Sequence, residues 1–267
     1  MIRYVALLML VQLVGGCSTQ PEPNPLRLRV LSYNIKHARG EDSTFDYQRL
    51  ADVIKGAKPD LVALQEVDVK TGRSSGVDQP ARLGELMGMH HHFAEAMPFS
   101  GGSYGEAVLS NKPIGPNAAY KIALAADKGQ EPRSVAVILV ELGGLPRVLF
   151  GGTHLCHQSS ETRLSQVKQI NERMAEDTVH PTILAGDFNF TPDSEPYQAL
   201  IDAGWVDTAA AFGGPKPTYP SDTPRIRIDY IFVRPAERWR VLNVLVLDEP
   251  LASDHAPLLV ELEYVQP

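Results

Sequence analysis

Two cysteines, Cys17 and Cys156, are all that a chain of 267 residues offers. That rules out a disulfide framework, which rests on several bridges, so a hydrophobic core has to hold the protein together. Basic residues are outnumbered: 25 Lys and Arg stand against 32 Asp and Glu, for a formal net charge of −7. A protein that grips long nucleic acid non-specifically needs many Lys and Arg contacts to phosphates, and this balance does not supply them. A small charged substrate is not excluded. No apolar run approaches the roughly 20 residues that a transmembrane helix requires. Aromatics are sparse, at 7%. No repeat is evident, and no clear linker or low-complexity stretch interrupts residues 26–267. The rest is ordinary for a globular protein: 43% hydrophobic and 21% charged residues, enough for one large domain or two small ones.

The first sixteen residues differ. Arg3 is followed by an apolar run from Tyr4 to Val14 and then by small residues, the anatomy of a secretory signal. Leu13-Val14-Gly15-Gly16-Cys17 resembles the bacterial lipobox, which implies a lipidated Cys17 as the first residue of the mature protein. The alternative is an ordinary signal with an incidental cysteine. With a lipobox, Ser18 to Pro25, rich in proline and polar residues, is a tether. Ser18 after the cysteine then favours the outer membrane of a bacterial envelope. Losing the signal removes one base, so the mature charge is −7 − 1 = −8, and Cys156 has no partner. The expected organisation is a signal over residues 1–16, a lipidated cysteine and tether over 17–25, and one domain over 26–267.

Along that domain, Leu26 to Asn34 alternates as a strand does. Asp46 to Lys58 has helical spacing and stops before Pro59. Asp60 to Glu66 is a short apolar strand ending in an acid, and Gln79 to Gly88 suits a helix. Residues 104–110, 134–142 and 147–154 have strand character. Ser159 to Met174 predicts an amphipathic helix with Leu164, Val167, Ile170 and Met174 on one side. A strand over 182–187, a helix over 194–203 and strands near 226–233, 239–247 and 257–264 complete the chain. Both halves run strand–helix–strand and then turn to strand pairs. Two sheets packed face to face with helices outside are expected, an α/β class.

Several of these apolar strands end in a residue able to bind metal or move a proton: Asn34, Glu66, His154, and Asp187 with Asn189. Asp229 lies in Arg227-Ile228-Asp229-Tyr230, and Ser253-Asp254-His255 precedes the last strand. Each alone has a structural explanation: a turn cap, an ion pair, a core histidine. Together they are harder to dismiss, because strand ends meet at one edge of a packed sheet, where binding sites commonly sit. The order and wording resemble the endonuclease/exonuclease/phosphatase superfamily of metal-dependent phosphohydrolases. The matching stretches are Ser32-Tyr33-Asn34-Ile35, Leu64-Gln65-Glu66-Val67, Tyr104 to Ser110, Thr153-His154-Leu155, Gly186-Asp187-Phe188-Asn189, Ile228-Asp229-Tyr230-Ile231 and Ser253-Asp254-His255.

The resemblance implies a deoxyribonuclease I-like, four-layered α/β/β/α sandwich. It also implies roles. Glu66 would be the main Mg²⁺ ligand, with Asn34 and Asp254 completing the site and Mn²⁺ as the alternative cation; such ions prefer hard oxygen donors. Asp187 and Asn189 would position the attacking water and a phosphate oxygen, with Gly186 leaving room for metal and phosphate. His255, its tautomer held by Asp229, would contact the phosphate or take the proton. His154 would stabilise developing charge or protonate the leaving oxygen, and Tyr104 would donate to the phosphate. Arg133 and Arg227 are candidate phosphate contacts, each with a plain ion pair as the alternative. Arg73 is on a loop that could overhang the site. Relatives often carry Asp where this chain has Cys156; a small buried residue is the commoner role for cysteine.

Two other patterns lead nowhere. Gly101-Gly102-Ser103-Tyr104-Gly105 fits the G-x-S-x-G of serine hydrolases, but a loop precedes it and a strand follows, so the nucleophile elbow is missing. In His90-His91-His92, alternate residues face opposite ways on a strand, so at most two could share a metal. The expected function is a metal-dependent phosphoesterase or phosphodiesterase outside the cytoplasm, monomeric, acting on a small phosphate ester. A nuclease is the alternative, disfavoured by the acidic charge, and a catalytically silent, lipid-anchored binding protein is the rival of another class.

Overall fold

The computed structural model describes residues 26–143, 147–214 and 216–266. The signal, Cys17 and the tether lie outside the described residues. In the first sheet β1 (Arg27–Asn34) runs parallel to β2 (Leu61–Val69), and α1 (Tyr47–Ala57) makes the crossover between them. β4 (Gly102–Ser110) and β3 (His90–Phe99) extend that sheet on one side, β12 (Leu258–Tyr264) and β11 (Trp239–Val246) on the other, giving the order β11-β12-β1-β2-β4-β3. α2 (Gln79–Met87) packs beside α1. The second sheet repeats the scheme. β7 (Val148–His154), α3 (Ser160–Met174) and β8 (Thr182–Asp187) form its parallel unit. β5 (Ile114–Leu124), β6 (Arg133–Val140), α4 (Glu195–Asp202), β9 (Val206–Asp207), α5 (Thr208–Phe212) and β10 (Asp229–Arg234) complete the order β5-β6-β7-β8-β10-β9.

Local chemistry sets the helix limits. Asp46 accepts from the N–H of Arg49 and Ser159 from that of Thr162, each satisfying an otherwise unpaired donor of the first turn. α1 stops at Lys58, which is left-handed (φ 47°) and followed by Pro59.

Three clusters of buried side chains define four layers. Val30, Ala63, Val108, Phe150, Ile183 and Ile231 fill the space between the sheets. The alternate residues Leu31, Tyr33, Val62 and Leu64 face outward under α1 and α2, with Leu50, Ile54 and Leu83. Leu149, Leu184, Tyr230 and Phe232 face Val167, Ile170 and Met174 of α3. The period-two alternation of the strands therefore serves two cores at once. The result is the expected α/β/β/α sandwich with two mixed six-stranded sheets. Among the described residues no helix is long and apolar enough to cross a membrane.

Several details differ from the sequence expectations. β3 and β5 were not expected; both are edge strands, half exposed and irregular in register, and β5 carries Gly115 and Pro116, which only an edge tolerates well. On α3 the buried face runs through Thr162, Gln166, Val167, Ile170 and Met174, and Leu164 lies at its margin. β2 does not stop at Glu66 but continues past it through a bulge. Finally, Gly186 serves the sheet: a Cβ there would stand 2.1 Å from the carbonyl oxygen of Thr153 on β7. The close approach it permits is strand to strand, not metal to phosphate.

Candidate active site

The parallel units of both sheets bring their strand ends to one edge, and the functional groups gather there. Asn34 closes β1. Glu66 sits in the β2 bulge, where the register against β4 shifts between Leu64 and Val67, and its backbone is left-handed (φ 55°). That is an uncommon conformation for glutamate, and bulges often re-aim a side chain in this way beside active sites. His154 ends β7 opposite Asp187, which ends β8; Asp187 in turn pairs in register with Asp229, the first residue of β10. Three neighbouring strands thus set His154, Asp187 and Asp229 side by side. His255 comes from the β11–β12 connection, pinned where the Ser253 hydroxyl donates to the Asn34 carbonyl at 2.6 Å. Phe188 points the other way, edge-on to Tyr230 and Phe232, and anchors the turn in the outer core.

Glu66, His154, Asp187 and His255 line a cleft of about 500 Å³, with Tyr104, Arg133, Asn189 and Asp254 around them. A larger cleft of about 720 Å³ lies between β5 and the end of α3. Its acid–base pairs are Asp177 with His180 at 2.8 Å and Arg173 with Glu176 at 3.5 Å, each between neighbours in sequence.

Within the smaller cleft the hydrogen bonds form a chain. The Nδ1–H of His255 donates to Asp229 Oδ2 at 2.9 Å, and the Thr218 hydroxyl donates to the same oxygen at 2.6 Å. His255 Nε2 is left facing Asp187 Oδ2 at 3.7 Å, with the Tyr219 ring packed on the imidazole at 4.9 Å. Asp187 accepts from the Asn189 backbone N–H at 3.0 Å and from Asn34 Nδ2 at 3.1 Å. His154 Nε2 is 2.9 Å from Asn189 Nδ2 and 3.4 Å from Asp187 Oδ2. Asn189, itself left-handed (φ 52°), also donates to the Leu155 carbonyl at 3.1 Å.

Burial raises the Asp187 carboxyl above the usual range, and the neighbouring Asp229 adds to this although His255 opposes it. For His255 burial disfavours charge, yet Asp229 and Asp187 outweigh it, and the imidazole titrates above its ordinary value. His154 is pushed the opposite way, far below normal, by burial and by Arg133; neutral, it accepts at Nε2 from the Asn189 amide. Burial also opposes charge on Glu66, but His37 at 3.7 Å, a hydrogen bond from the Asn34 amide and the charged His255 hold its carboxyl down to about 2.

The structure brings together Glu66, Tyr104, Arg133, His154, Asp187, Asn189, Asp254 and His255 along the cleft, with Asn34 and Asp229 directly behind. It does not bring Arg227. That guanidinium is buried in an ion pair with Asp207 and lies 4.3 Å over the Tyr230 ring, on the outer face of the second sheet. Asn34 stands directly beside the acids: its Nδ2 spans Asp187 and Glu66 (3.2 Å to Glu66), and its Oδ1 accepts from the Lys36 N–H at 3.0 Å. In this orientation the amide donates to both carboxylates. Lys36 reaches Asp254 at 3.2 Å and His37 lies 3.7 Å from Glu66, contacts that sequence reasoning missed. Their one signal was proximity in sequence to Asn34; Thr218 and Tyr219 gave none. His157 lines the cleft beside Arg133, whereas Cys156 is a small buried residue whose thiol donates to Gln130 at 3.3 Å.

Metal-binding chemistry has two places here. Asp187, Asp229 and His255 hold ligand atoms within 4.8 Å of one another. Glu66 and Asp254 present carboxylate oxygens to the same cleft.

Two packed mixed sheets with this group at their common edge define the deoxyribonuclease I-like class of phosphohydrolase folds. A profile of the Endonuclease/Exonuclease/phosphatase family matches residues 31–255. The chain belongs to that family. It is 24% identical to an uncharacterized protein of Escherichia coli, YbhP, over 256 residues, covering 88% of this chain and 95% of that one. An endonuclease/exonuclease/phosphatase of Beutenbergia cavernae superposes with a TM-score of 0.74 at 28% identity, over 89% of this chain and 72% of that one. A mannosyl-6-phosphatase of Bacteroides thetaiotaomicron gives 0.72 at 22% identity, over 88% and 99%.

Proposed function

We propose that the protein is a Mg²⁺-dependent phosphoesterase that hydrolyses a small phosphate ester outside the cytoplasm. The observation that carries this reading is the line Asp229–His255–Asp187 facing Glu66 across one cleft. Among the two metal places, Glu66 with Asp254 suits a hard cation better. Glu66 is held ionised, and Mg²⁺ takes few protein oxygens and fills the rest with water and phosphate. In the other group Nδ1 of His255 is already committed to Asp229. Bound there, the metal would supply charge neutralisation on the phosphoryl oxygens.

The chain's own groups do the rest. Asp187 Oδ2 holds the attacking water and draws its proton. His255, kept charged by Asp229, donates from Nε2 to a phosphate oxygen. The Asn189 amide is aimed by the Leu155 carbonyl and by His154, whose neutral state suits orienting better than protonating. Tyr104 accepts from Arg133 at 3.3 Å and keeps its own proton to donate, since burial holds its hydroxyl well above the usual tyrosine range. Positioned donors around a developing charge are the main resource for this kind of displacement.

The acidic chain argues against long nucleic acid as substrate, and the mannosyl-6-phosphatase shows by its name that phosphomonoester hydrolysis occurs on this fold. EDTA is expected to abolish turnover of p-nitrophenyl phosphate or bis-p-nitrophenyl phosphate, and Mg²⁺ or Mn²⁺ to restore it. No turnover of any phosphate ester with any divalent cation would leave the binding-protein reading in its place. The lipobox-like segment supports a membrane tether at Cys17. Mass spectrometry of native protein is expected to find Cys17 acylated at the N-terminus; an unmodified cysteine there would refute the anchor.

A further inference from the structure

One wall of the cleft is built beyond what attack on a phosphate requires. Arg73, on the connection between β2 and α2, lines the cleft beside Met97 and Phe99. Its Nε and Nη2 grip the fully buried Asp68 at 2.7 and 2.8 Å. The Thr71 hydroxyl also donates to Asp68, at 2.7 Å, and the Gly72 N–H ties the loop to the Ser100 carbonyl at 2.7 Å. The guanidinium lies 4.4 Å over the Phe99 ring and 5.4 Å from the Tyr104 centroid. One face, one edge and the supporting loop are therefore all committed. Among the described residues, Nη1 has no acceptor, and about a third of the side chain remains open to the cleft. A cation fixed this firmly loses little freedom when it binds an anion, and guanidinium is suited to phosphate and carboxylate. Arg133 donates to the Tyr104 hydroxyl at 3.3 Å, 5.8 Å from the ring centroid, and reaches towards His157, whereas Arg73 is held on Phe99; the two guanidinium groups are thus anchored on different partners.

We propose that Arg73 is a recognition site for a second anionic group on the substrate. The preferred substrates are then phosphate esters whose alcohol part carries a further phosphate or carboxylate, its short carbon frame resting on Met97 and Phe99. This rests on the phosphoesterase reading and narrows it.

The test compares phosphate release from alkyl phosphates with release from α,ω-alkanediol bisphosphates and ω-carboxyalkyl phosphates of matched length. For at least one length, kcat/KM for the doubly anionic ester is expected to exceed that for the plain one by about tenfold or more, the worth of one charged hydrogen bond. The bisphosphate and carboxylate arms decide which anion is preferred. In Arg73→Gln the ratio should fall towards one. Because that change strands a buried carboxylate, Arg73→Gln/Asp68→Asn is measured beside it, with thermal melting to confirm folding. No preference at any length in the unmodified enzyme, or a preference that survives both variants, overturns the proposal while leaving the phosphoesterase reading intact. No phosphate release from any ester, p-nitrophenyl phosphate included, overturns both.

Discussion

Asp187→Asn and His255→Ala are each expected to lower kcat/KM by about 10³-fold, within the range lost when a positioned acid or base is removed. Both groups sit in one chain of contacts, His255 Nδ1 on Asp229 and Nε2 towards Asp187. The double variant should therefore cost little more than either single one, as groups that act as a unit do. Asp187→Asn keeps the shape of the side chain and its acceptor for the Asn189 N–H. Circular dichroism and the melting midpoint should stay near those of the parent, so lost turnover reports on chemistry. Wild-type rates in either variant would show that the reacting phosphate lies elsewhere in the cleft.

Glu106→Gln is expected to change how stability depends on pH. Glu106 is fully buried between the sheets, and burial raises its carboxyl to about 8. The geometry agrees. The Ser134 hydroxyl has one proton and lies 2.9 Å from the Ala94 carbonyl, so its short contact with Glu106 Oε2 is best made by a proton that Glu106 supplies. The folded state then binds a proton that the unfolded state gives up near the ordinary glutamate value. This contribution to stability is whole below that value, erodes as pH rises, and is gone once the pH passes the folded value. The slope between the two is about 1 kcal/mol per pH unit. Urea midpoints of the parent should fall between about pH 5 and about pH 8 more steeply than those of Glu106→Gln, which has nothing to titrate there. Parallel slopes would mean that Glu106 is charged in the fold.

Much of this was legible in the sequence because it follows from alternation. Val30 to Asn34 and Ile183 to Asp187 announce strands with two apolar faces and a polar last residue, and both end in the cleft. The order of the motifs pointed to the edge where the candidate site residues meet. What escaped depends on partners distant in sequence. Arg227 looked suitable because it lies two residues from Asp229, but the chain joins β10 only at Asp229, and Asp207 captures the guanidinium from another strand. Gly186 looked like space for a ligand until Thr153 was found against it. The edge strands β3 and β5 lack a clean pattern because both are half exposed and each shifts register against its one neighbour. That the Asn34 amide meets two carboxylates from other strands is likewise encoded by no spacing.

The position of β12 has a consequence in time. Residues 258–264 lie between β1 and β11, so the strand that opens the domain is completed by one made more than two hundred residues later. Just before that strand, Ser253 locks onto Asn34 and His255 is set beside Asp229. A growing chain holds Glu66, His154 and Asp187 before it has either the imidazole or the strand that seals β1. On the phosphoesterase reading proposed above, hydrolysis would begin only after residues 253–264 are made and folded onto β1. The site is thus assembled last, by the final strand of the domain.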